Sequence, residues 1–88
     1  MKVESAEASE RLQRRLRRIE GQVRGVQRML DEDRDCREIV QQLAAVRAAV
    51  QQAGLEVMRV YAAQCLADPA SDRDDMLDYL LTTMGRWA

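Results

Sequence analysis

The apolar series Cys36, Ile39, Leu43, Val46, Val50, Ala53, Val57 and Val60 is spaced 3, 4, 3, 4, 3, 4 and 3 residues apart. That is a heptad stripe, and it predicts a single helix from about residue 36 to 66, stopping before Pro69. At about 1.5 Å per residue such a helix is roughly 45 Å long. A chain of 88 residues cannot wrap a rod of that length with its own side chains, so the middle of the rod calls for a second chain.

The preceding segment repeats the pattern. Leu12, Leu16, Ile19, Val23, Val26 and Leu30 follow spacings of 4, 3, 4, 3 and 4, which predicts a helix over about 7–30. The acidic run Asp31-Glu32-Asp33-Arg34-Asp35 separates the two. Asp35 is the expected N-cap of the long helix, with Glu38 completing a capping box. Ser71 and Asp74 give the same signal before a shorter third helix carrying Met76, Leu77, Leu80, Leu81 and Met84. The residues ahead of the first helix are expected to fray. Aromatics are 3 % of the chain and Phe is absent, so Leu, Val, Ile, Ala and Met must form the core, a helical palette. The fold class is all-α: one domain over 1–88, three helices, and an antiparallel four-helix bundle closed by a second copy. A dimer of dimers is the next step of assembly. Met29, Met58, Met76 and Met84 read as core filler and Trp87 as a C-terminal packing anchor.

Net charge is −1, but it is unevenly spread. Residues 11–28 hold seven arginines against Glu20 alone, a net of +6, while 68–78 hold five aspartates against Arg73, a net of −4. A basic face on a neutral protein binds polyanions whatever the overall pI. Around the first helix at about 100° per residue, Arg14, Arg17, Arg24 and Arg28 oppose the apolar seam, and Arg11, Arg15 and Arg18 flank them. Gly21 and Gly25 share that side, where the missing side chain permits close approach of another backbone. Arg47 on the long helix extends the candidate surface. Without interleaved aromatics, duplex contacts to phosphate and groove are favoured over single-strand stacking. No apolar run spans a bilayer and the polar N-terminus lacks a secretory pattern, so a cytoplasmic location without membrane contact is expected.

Cys36 and Cys65 lie 29 residues apart on the same predicted helix, roughly 43 Å along its axis. They cannot form a disulfide within one intact chain. If two long helices pair antiparallel, crossing near Val50 and Gln51, Cys36 of each chain faces Cys65 of the other. Cys36 sits at a helix N-terminus beside Arg37, which favours thiolate chemistry, although Asp35 opposes it. It is the thiol expected to react first. The bland alternative makes both cysteines small buried hydrophobes. The heptad supports that for position 36, but it reaches Gln64 rather than Cys65.

The stretch Arg14-Arg15-Leu16-Arg17-Arg18-Ile19-Glu20-Gly21-Gln22-Val23-Arg24-Gly25-Val26-Gln27-Arg28-Met29-Leu30 closely resembles the first-helix signature of the CsoR/RcnR repressors. Residues 36–49 resemble their second-helix signature, and the likeness covers nearly the whole chain. It implies a helical dimer assembling into a flat tetramer that binds operator DNA without a helix-turn-helix and releases it on effector binding. Copper sensors of this family use Cys on one subunit with a His-x-x-x-Cys pair on the other. Cys36 and Cys65 match the two cysteines, Tyr61 stands at the His position, and Asp35 replaces a Tyr that supports the ligands from behind. The chain has no His, and neutral phenol is a poor ligand for Cu(I). This departs from the nickel and cobalt branch. The formaldehyde branch, with an N-terminal Pro where Lys2 stands here, is less similar. Two thiols without His resemble the persulfide-sensing branch, the CsoR-like sulfurtransferase repressors.

The favoured expectation is therefore a repressor with no resident cofactor. It is derepressed when the Cys36–Cys65 intersubunit dithiol reacts with persulfide or polysulfide, with Tyr61 and Asp35 as candidate neighbours of the thiols. Cu(I) bound by the same two thiolates is the alternative. The expected DNA contacts are Arg14, Arg15, Arg17, Arg18, Arg24, Arg28 and Arg47, and the expected partners are operator duplex, a second copy and the effector. A Cu(I) carrier would explain the cysteines but not the +6 helix. A thiol enzyme would want a His base and a cleft that are not visible, and a purely structural module needs neither feature.

Overall fold

A computed structural model describes residues 2–87. Three helices follow in order: α1 Ala6–Asp31, α2 Cys36–Ala67 and α3 Arg73–Trp87. The first two agree with the heptad reading to within a residue at each end. Ser5 caps α1 by accepting from the Ala8 amide at 3.2 Å. Asp35 caps α2 by accepting from the Arg37 amide at 2.9 Å. The capping box at this end is only half formed. Glu38 turns instead to the guanidinium of Arg34 at 2.6 Å, an i, i+4 ion pair across the start of the helix. The cap of α3 also differs from expectation: Asp72 accepts from the Asp75 amide at 3.1 Å, while the Ser71 amide closes the preceding turn on Asp68. Between α1 and α2 the chain reverses through Asp33, whose φ of 54° lies in the left-handed region that Asp tolerates better than most residues.

α1 runs antiparallel to α2, and α3 folds back along the C-terminal half of α2. The result is a layer with Cα extents of 55 × 28 × 12 Å, one helix thick. Each heptad stripe divides. On α1, Leu12, Ile19 and Val26 are buried against α2, while Leu16, Val23 and Leu30 stay exposed, Leu30 at 60 %. On α2, Ala53 is buried and Ile39, Val46 and Val60 are half-buried, whereas Cys36, Leu43, Val50 and Val57 are exposed, Leu43 at 51 %. Both helices thus turn their second apolar row to the same open side. Of the methionines, Met76 is buried, Met29 and Met58 are half-buried and Met84 is exposed. A folded monomer of 10.1 kDa typically exposes about 5,300 Å². This chain exposes 6953 Å², and the excess has the magnitude of a half-interface or more.

Residues 2–4 are tied to α2, where the sequence suggested a frayed end. The Gln64 amide donates to the Lys2 carbonyl at 2.8 Å and its oxygen accepts from the Glu4 amide at 2.9 Å. That two-point clasp gives residues 2–4 the backbone partners a fraying end lacks, and Val3 lies in a cleft with Val57, Val60 and Tyr61.

Candidate thiol site and arginine face

The two thiols occupy contrasting surroundings. Cys36, the first residue of α2, is exposed, while Cys65 in its last turn is 3 % exposed. Neither forms a disulfide within the chain, and the unbroken α2 holds them at opposite ends. Burial as a small hydrophobe therefore describes Cys65 and not Cys36. The heptad drifts here: Gln64 stays half-buried to clasp the N-terminal residues, and Cys65 turns inward.

Tyr61 lies one turn before Cys65 and shares a side-chain hydrogen bond with it. Burial, then the Cys65 charge, then that hydrogen bond raise its hydroxyl above the ordinary value of 10.0, with Asp75 and Tyr79 adding to the shift. The phenol therefore stays protonated around neutral pH, a donor beside the thiol. Tyr79 of α3 packs against it with ring centroids 5.5 Å apart. Asp35 is committed to capping α2. Among the described residues, no group of three or more His, Cys, Asp and Glu side chains gathers to hold a metal.

The arginines of α1 form a face that α2 organises at one edge. Glu56 of α2 receives Arg11 Nε at 3.3 Å and Arg15 Nε at 3.6 Å, one on each carboxylate oxygen. Arg11, Arg14, Arg15 and Arg18 together line a notch. Arg24 pairs with Glu20 at 3.4 Å along the same helix. Arg14 and Arg17 border a shallow depression with Ser9, Glu10 and Gln13. Gly21 has open space where a side chain would be, and Gly25 meets only the Arg28 side chain at 3.8 Å. Nothing in the protomer itself uses the room these glycines leave. Arg47 is exposed on α2, nine residues and half a turn round the helix from Glu56. It is thus separated from the arginines that Glu56 gathers. Glu56, Gln64 and Tyr79 were not singled out from sequence, since each acts between elements far apart in the chain and leaves no local spacing signal.

The family described as "Metal-sensitive transcriptional repressor" matches residues 8–86, which take in the arginine face and both cysteines. The chain belongs to this family. Among relatives, the copper-sensing transcriptional repressor CsoR of Bacillus subtilis is 40 % identical over 70 residues, 80 % of this chain and 69 % of that protein. The copper-sensing repressor RicR of Mycobacterium tuberculosis is 40 % identical over 53 residues, covering 60 % of this chain and 55 % of its own length. The transcriptional repressor RcnR of Citrobacter koseri is 31 % identical over 77 residues, 85 % and 86 % of the two chains. Two solved structures share the fold. One is a variant of the formaldehyde-responsive regulator FrmR of Salmonella enterica serovar Typhimurium (TM-score 0.78, 27 % identity, 97 % and 99 % covered). The other is Cu(I)-bound CsoR of Geobacillus thermodenitrificans (TM-score 0.73, 30 % identity, 96 % and 94 % covered). The protein is therefore a transcriptional repressor of the CsoR/RcnR type and not an enzyme. Among the described residues of this repressor, no helix is long and apolar enough to cross a membrane.

Proposed function

We propose that this repressor binds operator duplex DNA through the arginine face of α1 and releases it when Cys36 and Cys65 of the partner subunit take up an effector together. The observation that carries the proposal is the placement of the thiols on α2. They lie symmetrically about the centre of a single 32-residue helix, to within a residue, and Cys36 belongs to the exposed row with Leu43, Val50 and Val57. An antiparallel crossing at that centre covers the exposed rows and brings each Cys36 level along the helix axis with Cys65 of the partner subunit, which is buried, 3 % exposed, beside that row. On the DNA side, Arg14, Arg15, Arg17, Arg18, Arg24 and Arg28 are the proposed contacts, and Gly21 and Gly25 on the same helix leave open space, room for a phosphate backbone. Arg47 contributes a separate contact. A cytoplasmic dimer, pairing further into a tetramer, is the expected working form.

Cu(I) is the effector the relatives favour, since two of them at 40 % identity are named copper-sensing. The donor set fits it: two soft thiolates suit Cu(I), while the protonated Tyr61 serves as a hydrogen-bond donor to one of them. Cu(I) would bridge the subunits through Cys36 and Cys65 alone.

A second reading rests on the residue that departs from the copper pattern. Tyr61 stands in place of an imidazole in a chain without His, which leaves a bare dithiol suited to reactive sulfur. The Cys36 thiolate would attack the terminal sulfur of a polysulfide, taking that sulfur and expelling the shortened polysulfide. The Cys65 thiolate of the partner would then attack the inner sulfur, expel hydrosulfide and leave an intersubunit disulfide.

Gel-shift titration on the promoter nearest its own gene, with Cu(I) and with polysulfide in separate arms, tests both. Mass spectrometry of each product reports the link. Release by Cu(I) with one ion per thiol pair supports the first reading, and release with Cys36–Cys65 cross-linked peptides supports the second. Cys36→Ser and Cys65→Ser proteins that still release DNA in both arms would overturn the shared site.

A further inference from the structure

We infer that Glu56 is a positioning residue for DNA binding: it holds Arg11 and Arg15 as a pre-formed clamp for one phosphate. The inference rests on the reading above that α1 presents the DNA face, and it adds Arg11 and an acidic residue to that face.

The geometry is a carboxylate beneath two guanidinium groups. The Glu56 side chain is 18 % exposed, those of Arg11 and Arg15 are 50 % and 46 % exposed. Each arginine meets the carboxylate through Nε, at 3.3 and 3.6 Å. Arg11, Arg14, Arg15 and Arg18 fall at i, i+3, i+4 and i+7, one strip of the helix, and together they line the notch. Four like charges so placed repel one another and splay into solvent when nothing gathers them. Glu56 gathers two of them from behind and, being one charge against four, leaves the notch strongly positive. Holding long side chains in place before binding removes an ordering cost that a phosphate contact would otherwise bear. The exposed Glu20–Arg24 pair is a different arrangement: both partners sit on one helix and are 63 % and 67 % exposed, so it shields Arg24 and positions nothing.

The two roles an acidic residue can have on a DNA face predict opposite signs. A competitor with phosphate, once neutralised, yields tighter binding. A positioning residue, once neutralised, yields weaker operator binding even though the protein has gained positive charge. The experiment compares wild type, Glu56→Gln and Glu20→Gln by fluorescence anisotropy on operator and on random duplex across a salt series. For Glu56→Gln the expected result is roughly fivefold to tenfold weaker operator binding, with the slope of log affinity against log salt shallower by about one phosphate contact. Glu20→Gln is expected to bind both duplexes slightly tighter. Equal or tighter operator binding by Glu56→Gln, with an unchanged or steeper slope, overturns the inference. If Glu56 serves only to join α1 to α2, its loss lowers the thermal midpoint and the competent fraction but leaves the slope of the competent protein unchanged, which also overturns it. Arg14→Ala, tested alongside, separates this failure from that of the DNA face itself. If that variant binds operator like wild type while Arg11→Ala and Arg15→Ala also do, the face is misassigned. If they lose affinity and Glu56→Gln does not, only the positioning role falls.

Discussion

Tyr61 sits in surroundings that give it a measurable signature. Burial and the neighbouring Cys65 raise its hydroxyl above 10.0. The folded state therefore keeps the phenol protonated at pH values where the unfolded chain has lost the proton. Stability from this group is complete below about pH 10 and drains away as pH climbs through the raised folded value, because the unfolded state binds fewer protons there. Thermal melts of wild type and Tyr61→Phe between pH 9 and 11 check this: wild type should lose stability more steeply over that interval. Parallel curves would remove the coupling to Cys65. The identity of this neighbourhood was partly legible in sequence, since the i, i+4 spacing of Tyr61 and Cys65 places them on one side of any helix. The packing of Tyr79 was not, because an aromatic contact between α2 and α3 depends on how the turn at Pro69 returns the chain. The clasp of Gln64 on Lys2 and Glu4 was equally hidden, a side chain meeting backbone some 60 residues away.

At the scale of elements, the apolar periods of α1 and α2 located both helices almost to the residue. They did not say which heptad row would face its own neighbour and which would face outward, because both rows are equally apolar. The cap of α3 was off by one for a similar reason: Ser71 and Asp72 are both good N-caps, and only the chain's exit from the Pro69 turn selects between them. α3 itself is held at its far end by Trp87, whose ring lies directly on Gly54 of α2. A Cβ at Gly54 would come within 2.8 Å of the ring atoms Cζ2 and Cζ3, so Gly54→Ala must push the indole off. Ala gains about 1 kcal/mol of helix propensity at that position. Lost burial of the large ring costs about 2 kcal/mol. The net loss of about 1 kcal/mol corresponds to roughly 4–8 °C in a domain of this size. Trp87 is the single tryptophan, so its emission reports the event directly. A red shift with unchanged helical circular dichroism is expected, and emission identical to wild type would show that the indole is not seated there.

For the whole molecule, the decisive quantity is how little a layer 12 Å thick can enclose. Leu16, Val23, Leu30, Leu43, Val50 and Val57 are all exposed, and Leu16 of α1 lines one groove with Val50 and Val57 of α2, an apolar surface of the kind that soluble monomers rarely leave open. The long helix predicted from sequence already demanded a second chain; the structure adds which row that chain would cover. If two copies cross at the centre of α2, Val50 lies at the twofold axis and meets its own equivalent. Val50→Glu then places two carboxylates face to face in an apolar contact, where each is desolvated without a partner. Sedimentation should show the assembly falling apart, and because the protomer has so little core of its own, the thermal midpoint should collapse with it and depend steeply on protein concentration. Gln41→Glu adds the same charge half a turn round the helix, away from that axis, and should leave both readouts unchanged. On the proposed function, dissociation also abolishes effector uptake by the thiol pair, since Cys36 and Cys65 of one chain remain roughly 43 Å apart along α2. A monomeric Val50→Glu protein that still bound Cu(I) through both thiols would mean that the two cysteines meet by some route other than an antiparallel pair.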